Sequence, residues 1–261
     1  MLVDIGLNLS SDRYDRDRGA VIDRGLAAGV SRMVLTGTSL GESAEVVRLA
    51  QEHAPHCLAT VGVHPHAAAQ LDEAGLDRLR TLLRAPGVVA VGETGLDFNR
   101  MFSPAADQER AFRWQIDLAG ETGLPLFLHE RDASERQLQI LRATRNRWSG
   151  GVLHCFTGSR EALFSYLDLG LCIGITGWVC DERRGQELAA LVREIPADRL
   201  LLETDGPWLL PRDLPQKPKD RRNEPAFLPH IAATVARLRG QDVAELAAIT
   251  TANAKRLFRF S

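Results

Sequence analysis

Eight short runs of apolar residues recur along the chain, each rich in branched or aromatic side chains and each followed by a longer segment of mixed polarity. The runs are LVDIGLNL, RMVLTG, CLATVGVH, VVAVGE, PLFLH, GVLHCF, LCIGIT and RLLLETD, and their length and composition predict strands. Between them, GESAEVVRLAQEHA, AADQERAFRWQIDLAGETG and EALFSYLDLG place apolar residues three and four apart. Phe112, Ile116 and Ala119 mark one buried helical face of this kind. Two further helices are predicted over PHIAATVARL and DVAELAAITTANAKRLF, the second with Asp242 as N-cap and Glu245 as its capping-box partner. The stretch GPWLLPRDLPQKPKDRRNEP is too rich in proline for a regular helix and is expected as a long ordered loop.

Strands alternating with helices predict a parallel sheet, and eight such units predict a (β/α)8 TIM barrel. One domain over residues 1–261 is expected, since no linker or internal repeat divides the chain. A doubly wound open sheet would carry a glycine-rich phosphate loop after an early strand, and none is present.

Composition adds modest constraints. A length of 261 residues suits a barrel, and a hydrophobic content of 44% supports a sizeable core. The net charge of −2 gives no global cationic field, although a local patch would serve for nucleic acid. Lysine occurs only at Lys217, Lys219 and Lys255, so arginine supplies nearly all positive charge. The four cysteines form no C-x-x-C pair and are expected to be free thiols in a reducing compartment. No basic leader precedes an apolar core, and no apolar stretch approaches the roughly 20 residues of a membrane helix. A cytoplasmic enzyme with no membrane partner is the expectation.

Four predicted strands end on metal-ligand types: Glu93, His129, His154 and Asp205. Each has an ordinary explanation alone, as a buried ion pair, a core histidine or a turn cap. Placed side by side on one rim, they would leave several polar groups crowded and unpaired, which is costly unless a cation binds them. The pattern predicts a metal-dependent hydrolase, with Glu93 and Asp205 as catalytic carboxylates. Asp205 is expected both to ligate and to accept a proton from water. Glu203 is expected to face away from the site. Arg131 is a candidate phosphate clamp, or a surface partner of Asp132 or Glu135. Lys217, Lys219, Arg221 and Arg222 form a local cationic loop diluted by Asp213, Asp220 and Glu224. Phe98, Trp178 and Trp208 follow strand ends and are candidates either for base stacking or for packing.

The segments DIGLNL, LTGTSL, VGVHPH, VGETGLDFNR, LHCFTGSREA, IGITGWVCDERRG, LLETDGPWLLPRDL and RRNEPAFLPHI cover essentially the whole chain. On these segments the sequence resembles the TatD-like metal-dependent deoxyribonucleases of the amidohydrolase superfamily. The resemblance implies a (β/α)8 barrel and a divalent cation, Mg²⁺ first, with Mn²⁺ and Zn²⁺ as alternatives. It further implies 3′→5′ exonuclease action on single-stranded DNA, and on RNA, in the cytoplasm. Glu93, His129 and His154 fall on its metal-ligand positions and Asp205 on its strand-eight aspartate. Much of the family reads D-x-H-x-H in strand one, whereas this chain has Gly6 and Asn8 there. One firm metal position and one weak one are therefore expected. His64 and His66 are open to three roles: phosphate contact, replacement ligand, or scaffolding about Pro65. Phosphate contact is the reading adopted for His64. A monomer is expected. The competing readings are an amidohydrolase acting on C–N or ester bonds, a silenced nucleic-acid binder, and a non-haem iron site. A carboxylated strand-four lysine is disfavoured because no lysine precedes Lys217.

Overall fold

The computed structural model describes residues 1–260. Its strands are β1 (Leu2–Leu7), β2 (Val30–Leu35), β3 (Cys57–Val61), β4 (Val88–Asp97), β5 (Leu126–Arg131), β6 (Gly151–Leu153), β7 (Cys172–Ile175) and β8 (Leu200–Leu202). They pair in parallel in chain order. A bridge between Leu7 and Gly206 closes the ring. At that seam the Asn8 amide donates to Gly206 O and the Asp205 amide to Gly6 O, both at 2.8 Å. The expected (β/α)8 barrel is thus observed.

The helices are α1 (Arg18–Ala27), α2 (Leu40–Glu52), α3 (Glu73–Leu82), α4 (Ala105–Thr122), α5 (Ser134–Ala143), α6 (Arg160–Asp168), α7 (Gln186–Leu191), α8 (Leu228–Arg239) and α9 (Val243–Phe258). None is long and apolar enough to cross a membrane. Two apolar clusters result. The larger one unites the outer strand faces with the helices. The smaller one holds Val3, Ile5, Val34, Ala90, Phe127, Val152 and Leu201, with Ala254 and Phe258 of α9 packed against them. The alternation of each strand sends one set of side chains inward and the next outward, which is why two clusters form.

Register shifts interrupt the β1–β2, β3–β4 and β4–β5 pairings, and those that follow Val91 in β4 and Asp4 in β1 lie nearest the rim. In β4, Val91 pairs with Leu126 and Thr94 with Leu128, so one extra residue lies between them. Gly92 and Gly95 both adopt φ 142, where a Cβ would overlap the carbonyl oxygens of Phe127 and His129. The bulge re-aims Glu93 and lets β4 run on to Asp97, beyond the predicted strand end. A similar slip separates Asp4 from Leu7 in β1.

The proline-rich loop is ordered, as expected, by bonds to α1 and the preceding turn. Arg222 pairs with Asp17 at 2.7 Å, Arg24 with Glu224 at 2.6 Å, and Asn223 Nδ2 donates to Thr204 O at 2.8 Å. Arg222 is therefore committed to a structural pair and does not belong to a free cationic track. All four cysteines are free thiols.

Candidate active site

Glu93 Oε1 is the hub of the site. Three imidazole nitrogens approach it: His154 Nε2 at 2.8 Å, His129 Nδ1 at 3.0 Å and His64 Nε2 at 3.4 Å. The chain of alternating carboxylates and imidazoles continues in both directions. His154 Nδ1 lies 3.3 Å from Glu203 Oε2. His129 Nε2 lies 3.4 Å from Asp97 Oδ2, which His66 Nε2 approaches to 2.7 Å. Phe127 stacks beneath His154, with ring centroids 4.9 Å apart. Asp205 stands across from Glu93 on the seam strand, held by Asn8 Nδ2 at 2.9 Å.

Glu203 corrects the sequence reading. It is fully buried and points into the site, where it also accepts the Cys155 amide at 2.5 Å. β8 ends at Leu202, so strand alternation does not govern the next three residues; Asp205 takes φ 54, and Glu203 and Asp205 both reach the site while Thr204 turns away. Thr204 indeed donates to Asp4 Oδ2 at 2.5 Å. Glu203 occupies the space that a side chain at position 6 would need, because a Cβ on Gly6 would overlap its carboxylate. The strand-one gap anticipated from Gly6 is filled from across the seam. Asn8, expected only as a poor ligand, orients Asp205.

The charges are strongly coupled. Burial works against ionisation of Glu93, but the imidazoles of His154, His64 and His129 hold its carboxyl well below the usual range. Burial likewise opposes a charge on His154, yet Glu93 and Glu203 raise its pKa well above the ordinary value. Burial, resisted by His154 and reinforced by Glu203 and Glu93, pushes Asp205 up to about 7. Burial takes His64 down to about 3, so it is neutral. The His66 amide donates to His64 Nδ1 at 3.1 Å, which leaves the proton on Nε2. In this tautomer His64 is a hydrogen-bond donor toward an anionic oxygen.

The donor set fits a divalent cation. Glu93, Asp97, Glu203 and Asp205 line one mouth, and no arginine or lysine side chain contacts them among the described residues. Buried His129 Nε2 also lacks a hydrogen-bond partner. Four carboxylates gathered against a few imidazoles concentrate negative charge, and mixed oxygen and imidazole donors suit Mg²⁺, Mn²⁺ or Zn²⁺. Metal-ligand spacing is met by His64, Glu93 and His129, whereas sequence reasoning had grouped His129 with His154.

The remaining predicted residues lie around this cluster. Arg131 ends β5, exposed, with Nη1 donating to Thr157 Oγ1 at 3.3 Å. His66 is turned toward Asp97. Phe98 and Trp178 pack on the core, whereas Trp208 is 51% exposed. Asp97 was missed entirely. Its signal was the even spacing from Glu93 along GETGLD, which the glycines disguised as a loop.

A family model described as TatD related DNase matches residues 3–259. The chain belongs to the TatD related DNase family. A 3′-5′ ssDNA/RNA exonuclease TatD from a Rahnella species is 56% identical over 100% of this chain and 99% of its own length. One of the same name from Salmonella typhimurium is 53% identical over 98% of both chains. Among solved structures, the TatD homologue YJJV from Escherichia coli superposes with a TM-score of 0.91 at 27% identity, covering 100% of this chain and 98% of that one. For this TatD family member, the barrel and its rim of carboxylates and imidazoles are the features that remain to be joined to an activity.

Proposed function

We propose that this protein is a divalent-cation-dependent 3′→5′ exonuclease acting on single-stranded DNA and RNA, with Mg²⁺ as its working cation. The observation that carries the reading is the mouth of four carboxylates whose only basic side-chain neighbours, among the described residues, are imidazoles. The names of the Rahnella and Salmonella relatives, aligned over nearly full length, support the polarity and the substrate class.

Glu93, His129, His154 and Asp205 would hold the cation, which would supply positive charge for the phosphoryl oxygens and make nearby water more acidic. Asp205 accepts the proton of the attacking water, a role suited to a carboxylate brought near neutrality. Asn8 fixes its orientation. His64 Nε2–H donates to a phosphoryl oxygen, and His66 holds Asp97 and, through it, His129. Arg131 offers its guanidinium fork to the backbone phosphate at the rim. Four free cysteines support a reducing compartment, so we place the enzyme in the cytoplasm, acting as a monomer because one chain supplies every site residue named.

Glu93→Gln and His154→Ala should each lower cation-dependent nucleotide release by at least about a hundredfold while the circular dichroism spectrum stays that of the parent. Both variants retaining parental activity would overturn the assignment.

A further inference from the structure

Large apolar side chains are exposed at five places among the described residues: Met1, Met101, Phe102, Trp208 and Val243. Met1 is the chain terminus and Val243 begins α9. The other three lie in the loops that follow β4 and β8. In an eight-stranded ring those strands are four apart and stand on opposite sides of the mouth.

Neither loop is slack. Asp97 Oδ1 accepts the amides of Asn99 and Arg100 at 3.0 and 2.8 Å. Ser103 Oγ donates to His66 O at 3.0 Å, and Gln108 Nε2 donates to Ser103 O at 2.8 Å. Between these anchors Phe102 stays 66% exposed, its ring meeting His66 edge-on with centroids 4.8 Å apart. Across the mouth, the Trp208 amide donates to Asp205 O at 3.0 Å, tying the indole to the proposed base. The Arg13 guanidinium lies 5.4 Å from the indole centroid and is itself fixed by Pro207 O and Asp220 O at 3.4 and 3.1 Å. Each ring therefore sits on a held support, one residue or one bond from the carboxylate and imidazole cluster, with much of its surface open to water.

We infer that Phe102 and Trp208 are two nucleobase-stacking sites that take the bases on either side of the scissile phosphodiester. This rests on the nuclease reading above. A phosphate seated at the cluster leaves one neighbouring base on the β4 side and the other on the β8 side. Stacking uses the π-face that every base has, so it reads neither base identity nor the ribose 2′-hydroxyl. A single strand of either sugar and any sequence is held in register by the same two contacts. A paired base has its faces covered by its own helix and loses them.

The test uses the full-length enzyme and an end-labelled oligothymidylate. Phe102→Ala and Trp208→Ala should each raise KM about tenfold or more with a smaller change in kcat, and Trp208→Phe should restore most of the loss. Fluorescence anisotropy in EDTA, where no turnover occurs, should report the same weakening of Kd. A strand with abasic sites at its two 3′-terminal positions should bind the parent about as weakly as the intact strand binds the Phe102→Ala, Trp208→Ala double variant. Variants equal to the parent on the intact strand would overturn the stacking sites, as would equal losses on intact and abasic strands. A parent enzyme that releases no nucleotide with any divalent cation would overturn the nuclease reading, and the anisotropy comparison would still decide the stacking sites by themselves.

Discussion

Asn8 and Asp205 are joined by a side-chain hydrogen bond, and the proposed proton transfer rests on that pair. The Asn8 amide donates to the ionised form of Asp205, which favours ionisation against a burial that has already brought the carboxyl to about 7. Removing the donor raises the pKa. Asn8→Ala should therefore move the acid limb of the kcat/KM profile to higher pH by roughly one pH unit, the size expected for a charge-assisted hydrogen bond. A cation lowers the pKa of both proteins, so the difference between their profiles survives metal loading. Superimposed profiles would remove Asp205 as the titrating base. At this scale Glu93, His129, His154 and Asp205 were legible in sequence, because a polar ligand type at the close of an apolar run has few other uses. Glu203 and Asp97 were not. Glu203 escaped because β8 stops at Leu202 and the irregular backbone beyond it breaks the alternation, and Gly6 becomes informative only when the side chain filling its space is known. Asp97 was hidden because glycine-rich GETG reads as a turn, while in the fold its glycines bend a continuing strand.

At the scale of elements, every apolar run holds its strand, but β4 extends past its predicted end whereas β3, β6 and β8 each stop three residues short, which leaves His154 and Asp205 just beyond their strand ends. The helices that were picked out are present, and the N-cap of α9 lies where the sequence placed it. Asp242 Oδ1 accepts the amides of Ala244 and Glu245 at 2.8 and 3.1 Å. This helix brings Ala254 and Phe258 against the interior cluster of the barrel, so its stability is coupled to that of the whole fold. Asp242→Ala should cost about 1 kcal/mol and lower Tm by about 2–4 °C, with kcat and KM unchanged, as read by thermal denaturation beside a nucleotide-release assay. An unchanged Tm would mean that α9 is held by packing alone. What the sequence did not disclose at this scale was irregularity. The bulge in β4 accompanies close backbone approach to β5, and the slip in β1 lies where Glu203 fills the space beside Gly6; both are properties of pairs of elements and invisible within one strand.

In the whole molecule, apolar layers and α9 occupy the body of the barrel while ionisable groups gather at the opposite mouth. The stitching around the ring is uneven. β4 and β5 share five paired positions, whereas β1 and β8 are joined by one bridge and two backbone hydrogen bonds. Those two bonds belong to the backbone amides of Asn8 and Asp205, the pair to which we assign the proton transfer. The joint with fewest bonds is thus also the one whose far side must be drawn in toward Glu93. Deuterium uptake should therefore be faster at the amides of Asn8 and Asp205 than at those of Leu96 and Asp97, and should slow when Mg²⁺ or Mn²⁺ is added. Equal uptake rates, or no response to the cation, would break that link. Local opening of the ring and loss of the metal would then be one event, so a chelated sample should carry its first breathing motion at the catalytic edge.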